Sequence, residues 1–173
     1  MDRRQFTAAL LAAALGVVGC AAETPPPTVS SVSQTVFVMR HLEKGQGEDP
    51  PLTEIGAAHA NALAGLLADR KIRAIFTSDT RRAKETAAPL AARLHIGSDT
   101  YDPRNPDALA AQVRAVPGNV LVVGHSNTVP ALLQMFGGPP IPPLGETDFG
   151  TVWAVDRATG TAASFTIPEL TAR

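Results

Sequence analysis

This chain of 173 residues has a single cysteine, a net charge close to zero and no long apolar run. The only cysteine is Cys20, which excludes a disulfide within the chain. The net charge is −1, so there is no broad basic surface for nucleic acid, and an anion site must be built from a few local side chains. Hydrophobic residues make up 45% of the sequence and charged residues 18%, a balance typical of one globular domain.

The apolar run at residues 8–18, AALLAAALGVV, is too short to span a bilayer. It follows Arg3 and Arg4, an order that is typical of an export signal. The RRxF pattern resembles a twin-arginine signal, and the general secretion route is the alternative. VVGC, residues 17–20, resembles a lipobox, in which Cys20 would be lipidated and become the first residue of the mature protein. A plain secretory signal with a chance cysteine is the other interpretation.

The sequence therefore divides into three predicted parts. Residues 1–19 form the export signal, and residues 20–34 contain the lipobox cysteine and a flexible linker rich in proline, serine and threonine. Residues 35–173 form the folded domain. With Cys20 lipidated, the linker would hold this domain at a membrane, facing the periplasm or the cell exterior.

Strands alternate with helices along the predicted domain. Strands are expected at 35–40, 72–78, near 100–101 and at 119–125, and helices at 53–70, 80–94, 105–115 and 127–137. Pro89 predicts a kink or an interruption in the second helix. A loop rich in proline and glycine, residues 137–150, precedes a hairpin of strands 151–156 and 162–168. This order indicates an α/β three-layer sandwich, with a mainly parallel central sheet covered by helices on both faces.

Polar side chains gather where three of these strands end, which is where such sheets place their sites. They are Arg40 and His41 after the first strand, Arg81 and Arg82 after the second, and His125 and Ser126 after the central one, with Thr77, Ser78 and Asn127 nearby. Guanidinium groups and imidazoles converging on one point would bind a phosphate dianion. Such a pocket suits phosphoryl transfer to His41, with Arg40, Arg82 and His125 offsetting the phosphoryl charge and no metal required.

Four segments resemble, in order, the motifs of the histidine phosphatase superfamily, whose fold is shared with the phosphoglycerate mutases. VMRHLEK resembles its Arg-His motif, and PLTEIGAAHANALA resembles LTxxGxxQAxxLA. IFTSDTRRAKETAAPLA resembles SSxxxRAxxTAxxLA, which selects Arg82 rather than Arg81, and VLVVGHSNTVPALL resembles GHxxxxxxLL. The resemblance covers residues 35–136. It implies a covalent phosphohistidine at His41, with Arg40, Arg82 and His125 binding the phosphoryl group.

Two positions depart from the family pattern. Leu42 stands where the family usually has glycine, which leaves the geometry of that loop to be established. The acid that protonates the leaving group is also not marked by a motif. Asp102, twenty residues after Arg82, is the first candidate. Three further carboxylates are alternatives: Glu43, Glu146 and Asp148.

The sequence thus predicts a metal-independent phosphomonoester hydrolase without a cofactor. Its partners would be a phosphorylated small molecule or a phosphoprotein, and a membrane through Cys20. Two alternatives stay open on the same fold: a phosphomutase, and a non-catalytic lipoprotein that binds phosphate or a phosphoprotein. The mutase is less favoured, because residues 35–173 leave little room for an insert that encloses a sugar phosphate.

Overall fold

The computed structural model describes residues 33–168. The predicted export signal, Cys20 and most of the predicted linker lie outside these residues. Between residues 33 and 168, no helix combines the length and the apolar character that a membrane span requires.

Within residues 33–168 there are six strands and four helices, which alternate from β1 to β5 and are followed directly by β6. The strands are β1 (Thr35–Arg40), β2 (Ile72–Thr77), β3 (Asp99–Thr100), β4 (Asn119–Gly124), β5 (Thr151–Asp156) and β6 (Ala162–Thr166). The helices are α1 (Glu54–Leu67), α2 (Arg81–Leu94), α3 (Pro106–Ala115) and α4 (Val129–Met135). All the predicted elements are present, and most bounds differ by one to three residues from those expected.

The strands form one sheet in the order β3-β2-β4-β1-β5-β6. β1, β2, β3 and β4 pair in parallel, whereas β5 pairs with β1, and β6 with β5, in the antiparallel direction. The carboxyl ends of the parallel strands and the start of β5 therefore lie at the same edge of the sheet. The predicted mainly parallel sheet and its closing hairpin are confirmed.

Two apolar layers cover the sheet, one on each face. Alternate residues of β1 point to opposite sides: Phe37 and Met39 pack with α1 and α2, while Val36 and Val38 pack with α3 and α4. The fully buried helix residues are leucines and small side chains such as Leu63, Leu67, Leu90, Leu109 and Leu133. The fold is thus the predicted three-layer sandwich.

Pro89 does not interrupt its helix, since α2 runs from Arg81 to Leu94. Proline removes only one backbone hydrogen bond, and the burial of Ala83, Ala87 and Leu90 on this helix offsets that loss. Two other helices begin with a side-chain cap. The Thr53 hydroxyl accepts from Gly56 N–H at 3.1 Å, and the Asn105 side chain accepts from Ala108 N–H at 3.2 Å.

Gln34, the last residue of the predicted linker, packs against the domain. Gln34 is only 8% exposed, and its amide donates to the carbonyls of Val113, Val116 and Gly118 at 2.9–3.0 Å. Its carbonyl oxygen accepts from the Arg157 guanidinium at 2.5 Å. Four hydrogen bonds therefore fix the end of the predicted linker to the domain.

Candidate active site

The four residues that the sequence selected lie together at the carboxyl edge of the sheet. Arg40 ends β1 and His41 follows it, His125 follows β4, and Arg82 lies in the first turn of α2. His41 N–H donates to the Gly124 carbonyl at 2.9 Å, which joins the ends of the two adjacent strands. The rings of His41 and His125 then lie 5.3 Å apart, centroid to centroid.

His41 is held as a neutral imidazole with one free nitrogen. Its Nδ1 lies 2.8 Å from the Leu42 carbonyl oxygen, which only accepts hydrogen bonds, so Nδ1 carries the proton and Nε2 carries the lone pair. The ring is 3% exposed. Burial lowers the pKa of His41 to about 4, and the neighbouring His125, Arg82 and Arg40 lower it further against the opposing effect of the Leu42 bond. At neutral pH, His41 therefore has the form that a nucleophile needs.

This pKa predicts an unusual acid limit for activity. Protonation removes the nucleophile, and a depressed pKa moves that loss to lower pH. We expect kcat/KM to be lost as pH falls through about 4, rather than through the ordinary histidine pKa of 6.5. The profile of kcat/KM against pH, corrected for the ionisation of the substrate, reports this value for the free enzyme. A break at 6.5 would contradict the assigned environment of His41.

His125 is a second neutral imidazole, fixed by a buried hydroxyl. Its Nε2 lies 2.8 Å from Ser78 Oγ, and Ser78 is 1% exposed. Burial lowers the pKa of His125 to about 4, with Arg82 and Arg40 acting in the same direction. Because Ser78 can donate a hydrogen bond to Nε2, the ring proton of His125 can lie on Nδ1. This N–H can then donate a hydrogen bond to an anion.

Gly124 permits the tight turn that presents His125. A β-carbon at this position would lie 2.8 Å from Thr128 Oγ1 and 3.1 Å from Leu132 Cδ1. Thr128 Oγ1 in turn accepts from the His125 N–H at 2.8 Å. The Gly-His pair in the sequence thus has a steric cause, because only glycine leaves room for the hydroxyl that caps the histidine.

The two predicted phosphate-binding arginines have different surroundings. Arg82 lies 3.4 Å from Asp49 Oδ1, and its side chain is 18% exposed. Arg40 has no carboxylate within ion-pair distance among residues 33–168. Its Nη1 donates instead to the carbonyls of Gly145 at 2.5 Å and Asp148 at 3.4 Å.

Three buried nitrogen atoms in this cluster have no hydrogen-bond partner within the described part of the chain. They are Nε of Arg40, Nε of Arg82 and Nδ1 of His125. Buried donors are almost always paired in native proteins, so these atoms can serve as donors to an anion bound at this site. A phosphoryl group, with three oxygens and two negative charges, supplies the acceptors that they lack.

The loop after β1 contains Leu42 where the family pattern has glycine, and its backbone does not need glycine there. Leu42 has no positive φ, and its side chain is fully buried in the layer formed by α1 and α2. Its N–H donates to Thr86 Oγ1 at 3.0 Å, and Thr86 Oγ1 donates to the Arg82 carbonyl at 2.8 Å. The threonine of the RAxxTA motif therefore supports the residue that orients His41.

Restoring glycine at this position should harm the protein. We expect Leu42→Gly to lower the free energy of unfolding by about 3 kcal/mol or more, because it removes a buried side chain and adds backbone freedom. Urea denaturation measures this change. Leu66→Ala, on the exposed side of α1, is the control and should cost less than about 1 kcal/mol. Equal stability of Leu42→Gly and the natural chain would show that the side chain has no packing role.

Two further hydrogen-bond donors lie close to these strand ends, one at the start of α2 and one after β4. The first N–H of α2, that of Arg81, donates to the Asp49 carboxylate at 3.0 and 3.2 Å, so a protein carboxylate occupies this helix N-terminus. Ser126 is half-buried in the turn after β4, and its hydroxyl makes no hydrogen bond to another described residue. Its role in phosphate binding stays a prediction.

Three of the four candidate acids have partners of their own. Asp102 borders the same cleft as Ser78 and His125, but its carboxylate pairs with Arg104 at 3.0 Å, and this partner lowers the pKa of Asp102. A lowered pKa favours the deprotonated form, the opposite of what a general acid needs.

The alternatives lie in the first loop and in the segment before β5. Glu43 lies 2.9 Å from His59 Nδ1, and Asp148 accepts from Gly145 N–H at 2.7 Å. Glu146 is exposed and has no side-chain hydrogen bond within residues 33–168. None of the four candidate carboxylates is buried in the described structure. The assignment of the acid stays a prediction.

Sequence reasoning missed two residues of the site. Asp49 caps α2 and contacts Arg82, and Phe149 packs beside both Arg40 and His41. Phe149 belongs to the loop of prolines and glycines, where no periodicity marks a role. Asp49 precedes the LTxxG motif, in a segment without regular structure. Within residues 33–168, no group of three or more His, Cys, Asp or Glu side chains has a geometry that could hold a metal ion.

Comparison with known proteins agrees with this arrangement. Residues 36–104 match the model of the histidine phosphatase superfamily, branch 1. The matched segment contains Arg40, His41 and Arg82. The chain is 34% identical over 80 residues to the fructose-2,6-bisphosphatase TIGAR of Xenopus laevis, a match that covers 44% of this chain and 29% of that protein. The chain spans less than a third of the length of the curated relatives it matches.

Solved structures show the same fold over most of the chain. The mycobacterial glucosyl-3-phosphoglycerate phosphatase Rv2419c superposes with a TM-score of 0.59 at 16% identity, covering 78% of this chain and 98% of that one. The protein histidine phosphatase SixA complexed with tungstate superposes with a TM-score of 0.56 at 20% identity, covering 76% and 94%. The predicted phosphoglycerate mutase-like fold, which is that of the histidine phosphatases, is confirmed.

Proposed function

We propose that this protein is a phosphatase that forms a covalent phosphohistidine at His41 and requires no metal ion. One observation carries the proposal. A neutral His41, with its Nε2 lone pair free, lies beside the unpaired buried donors of Arg40, Arg82 and His125. The match of residues 36–104 to the histidine phosphatases supports it.

The reaction has two displacements at phosphorus. In the first, the Nε2 lone pair of His41 forms a bond to phosphorus while the bond from phosphorus to the leaving group breaks. The leaving group keeps the electron pair of that bond and takes a proton from solvent water. In the second, water attacks phosphorus, the P–N bond breaks, and the proton from water leaves with the phosphate product or solvent. Arg40 and Arg82 stabilise the charge on the phosphoryl oxygens in both steps.

The order of strands indicates where the leaving group lies. In-line displacement places it opposite the nucleophile, and His41 on β1 is separated from β2 and β3 by His125 on β4. A cleft of about 610 Å³ lies on that side. It is lined by Ser78, Asp79, Thr80, Thr100, Tyr101, Asp102, Pro103, Arg104 and His125. We assign this cleft to the leaving group.

The surroundings of the carboxylates favour leaving groups that need little help from an acid. Asp79 pairs with Lys84 at 2.5 Å and Asp102 with Arg104, so each acidic residue of the cleft already has a cationic partner. The imidazole of a phosphohistidine and the phenolate of an aryl phosphate can leave without help from a strong acid. The alkoxide of an alkyl phosphate cannot. The proposed substrate is therefore a phosphoprotein that carries phosphohistidine, or a small molecule that is an aryl phosphate.

A trapping experiment tests the mechanism. We expect quenching with alkali during turnover of 32P-labelled phenyl phosphate to leave label on the protein, in a bond that is stable in alkali and is lost on later treatment with acid. EDTA should leave the rate unchanged. Loss of activity with EDTA that a divalent ion restores would contradict the metal-independent mechanism. Binding of phosphate without turnover would favour the non-catalytic alternative.

We also infer that the protein is exported and anchored at a membrane through a lipid on Cys20. The support is the order of an arginine pair, a short apolar run and the VVGC motif in the first twenty residues. The cleft would then face the periplasm or the cell exterior, where it would meet exported or surface-exposed substrates.

A further inference from the structure

The segment Gly145–Phe149 contacts Arg40 directly through neutral groups. The guanidinium carbon lies 4.2 Å from the ring centroid of Phe149, within the range of a cation–π contact. The Gly145 and Asp148 carbonyls accept from its Nη1 on the same segment. Two backbone dipoles and one aromatic face therefore hold this cation in place.

The carboxylate of Asp148 is bound within the segment itself rather than by Arg40. The Asp148 carboxylate accepts from Gly145 N–H at 2.7 Å, which fixes the two carbonyls relative to each other. Burial lowers the pKa of Arg40, and the charges of Glu146 and Asp148 oppose this through space, yet neither carboxylate forms an ion pair with it within residues 33–168. Arg40 thus keeps a charge that is not cancelled by direct contact, and its buried Nε keeps a free hydrogen.

Phe149 also touches the nucleophile. Its ring centroid lies 5.9 Å from that of His41 at an interplanar angle of 46°, a tilted aromatic pair. One side chain therefore fixes the distance between the group that attacks phosphorus and a group that binds its oxygens. Without the ring, Arg40 would lose a contact that opposes its repulsion from Arg82.

We propose that Phe149 is a positioning residue, which orients Arg40 for the phosphoryl group by a cation–π contact and packs the His41 ring against it. The proposal rests on the proposed phosphate-binding function of this site. Pre-orientation reduces the freedom that Arg40 loses when the anion binds, so the ring contributes to affinity without touching the ligand. A carboxylate in this position would cancel the charge of Arg40, whereas the aromatic face leaves that charge intact.

A substitution series in the full chain separates the cation–π contact from packing. Phe149→Leu removes the aromatic face and keeps apolar bulk, whereas Phe149→Tyr keeps the face. We expect Phe149→Leu to weaken the binding of inorganic phosphate, measured by calorimetry, about three- to thirtyfold, and Phe149→Tyr to change it less than about twofold. Replacement of Phe149 by mono-, di- and trifluorophenylalanine should weaken binding stepwise, because fluorine removes negative charge from the ring face at nearly constant shape.

Controls keep this test apart from the fate of the proposed function. Phe165→Leu makes the same change beside the α1 and α2 layer and should leave phosphate binding unchanged. Thermal melting checks that each variant is folded. Phosphate binding by Phe149→Leu equal to that of the natural chain, or a fluorinated series without a trend, overturns the positioning role. Failure of the natural chain to bind phosphate or to form a phosphoenzyme overturns the proposed function itself.

Discussion

Replacing His41 with alanine should abolish phosphatase activity while leaving phosphate binding largely intact. His41→Ala removes the lone pair that attacks phosphorus, whereas the arginine donors that bind the oxygens remain. Loss of a nucleophile costs on the order of 10⁴- to 10⁶-fold in kcat in well-studied hydrolases. We expect a loss of at least about 10⁴-fold with an aryl phosphate and no labelled phosphoenzyme.

A matched histidine variant serves as the control. His95 lies in an exposed left-handed position at the end of α2, with φ of 54°, and asparagine tolerates that backbone conformation. His95→Asn should therefore keep both activity and stability. Hydrolysis by His41→Ala within about tenfold of the natural rate would show that another group attacks phosphorus. Calorimetry with phosphate then separates a catalytic defect from a collapsed site.

The position of the catalytic cluster was predictable because parallel strands share an edge. Arg40 ends an apolar strand, His41 and His125 directly follow one, and Arg82 lies in the helix after another, so their side chains meet once these parallel strands pair. The family motifs then selected Arg82 over Arg81, and the exposed position of Arg81 agrees with that choice.

The role of Phe149 was not predictable in the same way. It ends a segment of prolines and glycines that forms no helix or strand, so its path depends on contacts distant in the chain. Phe149 reaches the site because β5 runs antiparallel to β1, which brings the start of β5 to the edge where β1 ends. The carbonyls of Gly145 and Asp148 are backbone groups, and no residue type marks them.

Leu42 shows how a motif can mislead about cause. Glycine in a family pattern suggests a backbone that needs φ above zero, yet Leu42 has no such conformation and packs in the core. The close approach that does require glycine lies one element later. A β-carbon at Gly56 would meet the Glu43 carbonyl oxygen at 2.2 Å, so the start of α1 can lie directly against the loop only without a side chain.

The partners of two polar residues, Asp102 and His59, could not be predicted from their spacing in the sequence. Asp102 stands at a plausible distance in the chain from Arg82, but Arg104, two residues further on, binds its carboxylate. His59 stands where the family pattern has glutamine, and its Nδ1 contacts Glu43, sixteen residues earlier. Neither pairing follows from helix or strand periodicity, because each depends on how a loop folds back.

Adjacent arginines on α2 offer the second test of the site, with the control built into the chain. The side chain of Arg82 is 18% exposed and its buried Nε has no partner, whereas that of Arg81 is 58% exposed and pairs with Glu85 on the same helix at 2.7 Å. We expect Arg82→Ala to lower kcat/KM about 10²- to 10³-fold, the usual cost of one lost donor to transition-state charge. Arg81→Ala should change kcat/KM less than about threefold, because an exposed pair along a helix contributes little.

The lysine variant shows whether geometry or charge is needed at this position. Arg82→Lys keeps the charge but replaces a planar fork by a single ammonium group, so it should fall between the natural chain and Arg82→Ala. Asp49 still binds the N–H of residue 81 in every variant, so α2 keeps its N-terminal cap and the stability should change little. Steady-state kinetics with an aryl phosphate, beside urea denaturation, measures both effects. Equal losses in the residue-81 and residue-82 variants would mean that α2 supplies only a general positive field. A loss confined to Arg82 instead identifies a donor aimed at the phosphoryl oxygens, since two charges one residue apart differ chiefly in direction.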